Sequence, residues 1–155
     1  MIPRMAREWR NDPSIKRWCR QVEYVNEQQQ KDWEERIQRD PSIQMFGISN
    51  GYDFVGVCGL TSINLYHRTA EFSLYIGPEY QKRGYAKEAL IKLLDYGFRD
   101  MGLNNIWGEV LESNPAMKIF KEVGFKHEGT LRQMYFKDGE IWNCDRISIL
   151  SEEFL

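Results

Sequence analysis

Gln81-Lys82-Arg83-Gly84-Tyr85-Ala86 joins a predicted strand, 70–76, to a predicted helix, 85–98. The first amides of a helix have no partner inside it, and the helix dipole adds partial positive charge there. Gly84 has no Cβ atom, so an anion can approach the backbone closely, and two basic side chains stand beside it. The segment therefore predicts a pyrophosphate site. The alternative is a turn that contains glycine for its geometry alone.

A second helix is predicted from the residues that would begin and end it. Asn114 suits the capping position, Pro115 the first helical position and Gly124 the position just past the end. Apolar residues at helical spacing form one face, namely Ala116, Ile119, Phe120 and Val123. Taken alone, this pattern favours an ordinary packing helix.

Together the two segments resemble the Gcn5-related N-acetyltransferase (GNAT) superfamily. Its acetyl-CoA loop carries Gln or Arg, then Gly, then Gly or Ala, at the spacing of Gln81, Gly84 and Ala86. Its next helix carries an Asn, a small residue, an aromatic residue and Gly-Phe, which correspond to Asn114, Ala116, Phe120, Gly124 and Phe125. The resemblance extends over residues 46–150, and the run 68–98 looks most like the spermidine and ribosomal-protein N-terminal acetyltransferases.

The resemblance implies an α/β (α+β) fold with a mixed, mostly antiparallel sheet flanked by helices, and the apolar patterns agree. Predicted strands span 44–49, 54–65, 70–76, 105–111, 128–136 and 141–150, and predicted helices span 26–39, 85–98 and 114–123. Asp12-Pro13-Ser14 predicts another short helix. The strand that usually opens this fold is expected to be short or missing. A partner chain, for instance in a homodimer, could then complete the acceptor side.

The resemblance also implies where acetyl-CoA, the co-substrate, would bind. Its pantetheine arm would pair with the backbone of Leu74, Tyr75 and Ile76, for which plain packing in the sheet is a compatible alternative. Its phosphates would lie on the loop residues Gln81, Lys82, Arg83, Gly84, Tyr85, Ala86 and Lys87. Asn114 and Phe120 of the second helix are expected to contact the same molecule.

Glu71 is the predicted general base, because an acceptor amine must lose a proton before it attacks the thioester. Strand alternation puts Glu71, Ser73 and Tyr75 on one face of the strand that would hold the thioester. The alternative is a structural ion pair, for instance with Arg68.

The sequence offers several candidates for the general acid that would protonate the departing CoA. The resembled superfamily usually has a tyrosine where this chain has Phe120, which cannot donate a proton. Tyr75, Tyr85 and Tyr135 could replace it, and Tyr135 is the one we group with Glu71 as catalytic. CoA could also leave as a thiolate, since a thiol has a pKa of about 8.5.

Aromatic residues and carboxylates are predicted to line the acceptor pocket, a combination that suits an ammonium or a sugar ring. The candidates are Trp9, Trp18, Glu23, Tyr24, Trp33, Tyr135 and Trp142, each of which could equally be a core or rim residue. A di- or polyamine would need carboxylates such as Glu23, Glu34 or Glu35. An amino-sugar nucleotide would seek Arg17, Arg20 or Arg132.

Length, charge and composition limit the number of domains and the kinds of ligand that the chain could bind. The 155 residues suffice for one domain, 1–155, and the net charge of −2 gives no basic field for nucleic acid. Three scattered cysteines without a Cys-x-x-Cys pair predict reduced thiols in the cytoplasm. Two isolated histidines argue against a metal site, and no apolar run is long enough for a membrane span.

Two other classes of function stay open at this point. One is a non-catalytic acyl-CoA-binding or regulatory module on the same fold, which Phe120 in place of tyrosine keeps possible. The other is a nucleotide-binding protein unrelated to CoA. A protein N-terminus is a further possible acceptor for an enzyme.

Overall fold

A computed structural model describes residues 3–20 and 24–154. Its helices are α1 Met5–Asn11, α2 Pro13–Lys16, α3 Glu27–Arg39, α4 Tyr85–Asp95 and α5 Met117–Val123. Its strands are β1 Gln44–Ser49, β2 Phe54–Asn64, β3 Thr69–Ile76, β4 Asn105–Leu111, β5 Lys126–Lys137 and β6 Glu140–Leu150. None of the described helices is both long enough and apolar enough to cross a membrane.

The strands form one sheet in the order β1-β2-β3-β4-β6-β5. Every neighbouring pair is antiparallel except β3 and β4, which are parallel. The predicted mixed, mostly antiparallel sheet flanked by helices is thereby confirmed. The described residues before β1 form three helices, and no strand is found among them.

The helix α3 illustrates how local sequence sets an element's start. Asn26 Oδ1 accepts from the amide of Gln29 at 2.8 Å, while Gln29 Oε1 accepts from the amide of Asn26 at 2.9 Å. This reciprocal pair is a capping box, and it satisfies two amides that the helix itself leaves unpaired. The predicted span of 26–39 therefore agrees with the observed one.

Two predicted helices differ from the structure at one end. The helix predicted over 85–98 is α-helical only to Asp95 and continues as a π-helical turn, Tyr96–Asp100. The helix predicted from Asn114 begins at Met117, because Asn114 Oδ1 accepts from the amide of Ala116 at 2.9 Å and forms a turn before the helix. Its predicted end is confirmed, since Gly124 follows the last residue with φ of 122°.

Phe120 is a core residue, 7% exposed. Its ring centroid lies 5.1 Å from that of Phe72 in β3 and 6.2 Å from that of Phe125. Phe72 and Phe125 are themselves 4.9 Å apart, so three rings form one aromatic cluster between α5 and the sheet. The aromatic character of this position thus has a packing role that needs no hydroxyl.

We expect Phe120→Ala to lower the free energy of unfolding by about 3–5 kcal/mol, because truncation leaves a cavity among the aromatic rings. Urea denaturation followed by far-UV circular dichroism measures the loss. Phe120→Leu is the matched control and should cost clearly less, since it refills most of the volume. A loss below about 1 kcal/mol for the alanine variant would contradict the packing role.

Candidate active site

The strands β3 and β4 pair over a short stretch and then separate. Their parallel register joins Thr69 to Asn105, Ala70 to Ile106 and Glu71 to Trp107, and no later pair is formed. The strand β3 continues to Ile76, and β4 stays paired with β6 as far as Leu111. Beyond Glu71, the side of β3 that faces β4 therefore has no strand partner within the described chain. Open backbone groups of this kind can accept an extended ligand.

The turn after β3 presents backbone amides at the end of β3 that has separated from β4. Gln81 Nε2 donates to the carbonyl oxygen of Ile76 at 3.0 Å and fixes the turn to the strand end. Lys82 and Gly84 both have left-handed backbones, with φ of 63° and 85°. No side chain caps α4, and the first amide of this segment that bonds back to the turn is that of Glu88, at 3.2 Å from Gly84 O. The earlier amides of the helix are left for solvent or a ligand.

The side chains around this turn are mostly exposed. Lys82, Arg83 and Lys87 are at the surface, and the Arg83 guanidinium lies 5.8 Å from the centre of the Tyr80 ring. The hydroxyl of Tyr85 accepts from Asn50 Nδ2 at 3.1 Å, which ties the start of α4 to the turn after β1. Ala86, partly buried, completes the first turn of the helix. The positive charge predicted beside Gly84 is thus available to an anion.

The strand residues nearest the separation have different environments. Leu74 packs against the main core and Ile76 is buried. The Tyr75 hydroxyl donates to the carbonyl oxygen of Ala6 in α1 at 3.4 Å, and burial raises the pKa of Tyr75. Tyr75 therefore keeps its proton and links β3 to the N-terminal helices.

Glu71 lies at the last β3–β4 pair in a cluster of charged side chains. Arg20 Nη2 donates to Glu71 Oε2 at 2.8 Å, and Arg20 Nη1 donates to Glu109 Oε2 at 3.2 Å. The Tyr135 hydroxyl donates to the same oxygen of Glu109 at 2.5 Å. The two carboxylates have side chains only 9% exposed. We call Glu71 and Glu109 the carboxylate pair.

Strand register explains how these residues meet. Glu71 is opposite Trp107 on β4, and Glu109 lies two residues further along the same face. Arg146 on β6 is paired with Glu109, places Nη1 3.6 Å from its Oε1, and stacks 3.4 Å from the centre of the Trp107 ring. Four neighbouring positions on one face of the sheet thus form the cluster, namely Glu71, Trp107, Glu109 and Arg146.

Burial sets the proton affinity of the cluster. Burial raises the pKa of Glu71 above the usual carboxyl range; Arg20 opposes this effect and Glu109 adds to it. Burial and the hydrogen bond to Glu109 both raise the pKa of Tyr135. Glu71 is thus a stronger base than an exposed glutamate, and Tyr135 remains protonated at neutral pH.

Lys137 fastens the N-terminal segment to the hairpin of β5 and β6. Its side chain is 2% exposed, and Nζ donates to the carbonyl oxygens of Lys16, Arg17 and Cys19, the last two at 2.6 Å. Three acceptors match the three protons of an ammonium. The main chain just before Arg20 is therefore held against the end of β5.

The predicted acceptor residues fall into two groups. Trp18 and Trp142 pack edge to face at 6.4 Å, and Trp142 is paired with Tyr135 in the hairpin, so these three residues adjoin the carboxylate pair. Trp9 is a core residue instead, stacked on Phe54 at 5.5 Å. The prediction for Glu23 lies outside the described residues.

The other candidates lie in α3 or just before it. The Trp33 ring lies 5.1 Å from the Arg10 guanidinium, and Tyr24 accepts from Arg7 Nη1 at 3.0 Å. Glu34 accepts from Gln30 at 3.3 Å. The first two contacts fasten α1 to the segment around α3, and the third lies within α3; none of them involves the carboxylate pair.

Sequence reasoning missed the partners of Glu71. The alternative ion pair with Arg68 is not formed among the described residues; Glu71 pairs with Arg20, 51 residues away in the chain. Glu109 and Arg146 were not placed in the site. The alternation of β4 would have put Glu109 on the face of Trp107, but only the β3–β4 register brings that face to Glu71. Nothing in the sequence indicates the contacts of Lys137.

Comparison with known proteins agrees with this geometry. Residues 2–126 match the acetyltransferase (GNAT) domain family. The chain belongs to the GNAT acetyltransferases. Acetyl-CoA is the donor that this family uses, so the resemblance and the co-substrate predicted from the sequence are confirmed.

The similar proteins include spermidine N(1)-acetyltransferases. That of Vibrio cholerae is 36% identical over 104 residues, which are 66% of this chain and 60% of the relative's own length. That of Escherichia coli K12 is 31% identical over 146 residues, 94% of this chain and 78% of the relative. A crystal structure of the Vibrio cholerae spermidine N-acetyltransferase with CoA and spermine superposes with a TM-score of 0.92 at 28% identity, covering 97% of this chain and 90% of that one.

We expect Gly84→Val to weaken CoA binding strongly while the fold is retained. A side chain at φ of +85° costs roughly 1–2 kcal/mol, and valine would also project beside the free amides of α4. The measurement is the stabilisation by acetyl-CoA in thermal denaturation. For the unmodified protein it should be about 2.7 kcal/mol at a hundred times Kd.

Gly102→Val is the matched control for this variant. Gly102 has a similar backbone, with φ of 71°, and no atom within 4 Å of an added Cβ. It precedes β4, whereas the turn follows β3. Because the two strands are parallel, Gly102 lies at the opposite end of the strands from the turn. Its replacement should bring the same backbone strain and a normal response to acetyl-CoA. Equal responses of the two variants would exclude the turn as the phosphate site.

Proposed function

We propose that this protein transfers the acetyl group of acetyl-CoA to a primary amine of a di- or polyamine. The observation that carries the proposal is the carboxylate pair, two glutamates with side chains only 9% exposed at the point where β3 and β4 separate. A site for a cationic acceptor needs negative charge to offset the loss of water from the ammonium. The spermidine acetyltransferases among the similar proteins support the same acceptor class.

Acetyl-CoA is proposed to bind along the open side of β3. The backbone of Leu74, Tyr75 and Ile76 would pair with the pantetheine arm beyond the last β3–β4 pair. The phosphates would bind the amides of the turn and of the start of α4, Gln81, Lys82, Arg83, Gly84, Tyr85, Ala86 and Lys87. Asn114 is proposed to contact CoA from the turn before α5. Phe120, which packs on Phe72, would border the gap between the strands.

In the proposed reaction Glu71 takes a proton from the acceptor ammonium, and the neutral amine attacks the thioester carbon. A C–N bond forms, and the C–S bond breaks when the tetrahedral intermediate collapses. The second proton on nitrogen leaves with the thiolate to give the CoA thiol, and Glu71 returns its proton to solvent. The raised pKa of Glu71 suits this role.

Tyr135 is proposed as the second catalytic residue, acting through Glu109. Its hydroxyl keeps its proton and donates to Glu109 Oε2 at 2.5 Å, which holds that carboxylate beside the acceptor. The other two tyrosines considered as acids are bound elsewhere, Tyr75 to Ala6 and Tyr85 to Asn50. With Phe120 in the core, departure of CoA as a thiolate is the simplest course, since its thiol pKa is about 8.5.

We expect Glu71→Gln to lower kcat by roughly 10²–10⁴-fold at neutral pH, because an amide cannot accept the proton. In the unmodified enzyme the rate should fall on acidification as Glu71 becomes protonated. Because its pKa is raised, this fall should begin at a higher pH than for an exposed glutamate. The variant should lack this decline, and thiol release measured against pH tests both expectations.

Glu152→Gln is the control for that measurement. Glu152 is exposed and lies in the short helical turn after β6, four residues beyond Ser148, the β6 partner of Trp107, and within the described chain it is not an ionic partner of the carboxylate pair. It should leave the rate and the pH profile unchanged. A Glu71→Gln enzyme with the rate and pH profile of the control would return Glu71 to a structural role.

The experiment that tests the proposed acceptor is a screen for thiol release from acetyl-CoA. Spermidine, spermine and putrescine should be acetylated, and their KM should rise with salt because exposed charges are screened over about 8–10 Å. An amino-sugar nucleotide and a peptide with a free N-terminus are the competing acceptors. Turnover of either without turnover of a polyamine would overturn the acceptor. CoA binding without any turnover would favour a non-catalytic module.

A further inference from the structure

Arg20 is the most exposed member of the charged cluster. Its side chain is 46% exposed, whereas the side chains of Glu71 and Glu109 are 9% exposed. One guanidinium spans both, with Nη2 at 2.8 Å from Glu71 Oε2 and Nη1 at 3.2 Å from Glu109 Oε2. Arg20 therefore covers the carboxylate pair from the solvent side.

The cluster holds a second arginine that is placed differently. Arg146 comes from a central strand and reaches Glu109 at 3.6 Å through Oε1, the other oxygen of that carboxylate. Its guanidinium is stacked 3.4 Å from the centre of the Trp107 ring. Cross-strand pairing and stacking both fix this side chain, so Arg146 is a permanent counter-charge and Arg20 is the cation that can leave.

The main chain beside Arg20 is fixed even though its side chain reaches solvent. Lys137 donates to the carbonyl oxygens of Lys16, Arg17 and Cys19, which immediately precede Arg20. Exchange of the guanidinium for another cation would thus need rotation of one side chain and no displacement of the segment. Rotamer changes of exposed side chains are fast compared with typical turnover.

We propose that the Arg20 guanidinium occupies the position of the acceptor ammonium and that the acceptor must displace it. This inference rests on the proposed function. With Arg20 in place, Glu71 Oε2 is already bonded and a second cation would meet a like charge. After exchange, the ammonium lies against the carboxylate pair and Glu71 is free to take its proton. Arg20 is thus a specificity-determining residue.

The exchange selects acceptors by charge. An acceptor that carries cations can replace the guanidinium and leave the carboxylate pair neutralised. A neutral or anionic amine would leave two buried carboxylates without the cation they had, which is costly. A second ammonium on the same acceptor would suit Glu109 while the first lies at Glu71, so diamines should compete better than simple monoamines.

We test this exchange with Arg20→Gln in the presence of saturating CoA or acetyl-CoA. Removing the internal competitor should lower the KM for spermidine by about twofold to fivefold, the upper part of the range expected for loss of a half-exposed ion pair. The Kd of spermidine measured by calorimetry with CoA bound should fall by a similar factor.

Arg20→Lys keeps a cation that cannot bridge two carboxylates and should give an intermediate KM. Arg39→Gln, an exposed site at the end of α3, is the charge-matched control and should leave the KM unchanged.

The possible outcomes separate the exchange from the proposed function. A KM and Kd for spermidine that rise in Arg20→Gln, with the control unchanged, would show that Arg20 helps to bind the acceptor and would overturn the exchange alone. An unmodified enzyme that acetylates no polyamine would overturn the proposed function and the exchange together. If Arg20→Gln does not fold, the lysine variant decides, because a KM equal to or above that of the unmodified enzyme contradicts the exchange.

Discussion

The separation of β3 from β4 after Glu71 is the constraint on which the rest of the site depends. Packing maintains it. An added Cβ on Gly108 would lie 2.3 Å from Phe72 Cε1, so the Phe72 ring occupies the space directly against the backbone of β4. The same ring packs on Phe120 and Phe125. The aromatic cluster is therefore inserted where the two strands part, and it prevents the parallel ladder from continuing.

The carboxylate pair lies on the opposite face of the sheet, on the proposed acceptor side of the same gap. There the last paired residue is a buried carboxylate, and burial of a lone charge would cost several kcal/mol. Cross-strand neighbours reduce that cost, since Arg146 and Arg20 approach the carboxylate pair from two sides. Replacement of such a cluster by apolar residues would often be neutral or stabilising. Its presence at the separation of the strands is thus better explained by chemistry than by stability.

The features predicted well from the sequence are those set by local backbone chemistry. The turn at Gly84, the capping box at Asn26 and the end of α5 at Gly124 each depend on a few consecutive residues. The six strands followed from apolar patterning in the same way. The start of α5 was missed because Asn114 can cap a helix or close a turn, and the choice depends on the chain that precedes it.

The contacts of Glu71 and Lys137 were harder to predict because they join distant parts of the chain. The partners of Glu71 and Lys137 lie 51 and about 120 residues away in sequence. Such contacts depend on how the segment after α2 packs against the sheet, which no short motif specifies. The catalytic roles of Glu71 and Tyr135 stay predictions.

This difference has a physical origin that bears on the family as a whole. A donor site made of backbone amides and open strand edges tolerates many side chains and needs only a few glycines and caps, so a short motif identifies it. The proposed acceptor site is made of side chains from the segment after α2 and from β3, β4, β5 and β6, so it changes with each substitution. In this chain Lys137 connects the two ends of that acceptor site, because it holds the segment that carries Arg20 against the hairpin that carries Tyr135. Acceptor choice is therefore a property of tertiary packing, and proteins with the same donor turn can differ in the amine they acetylate.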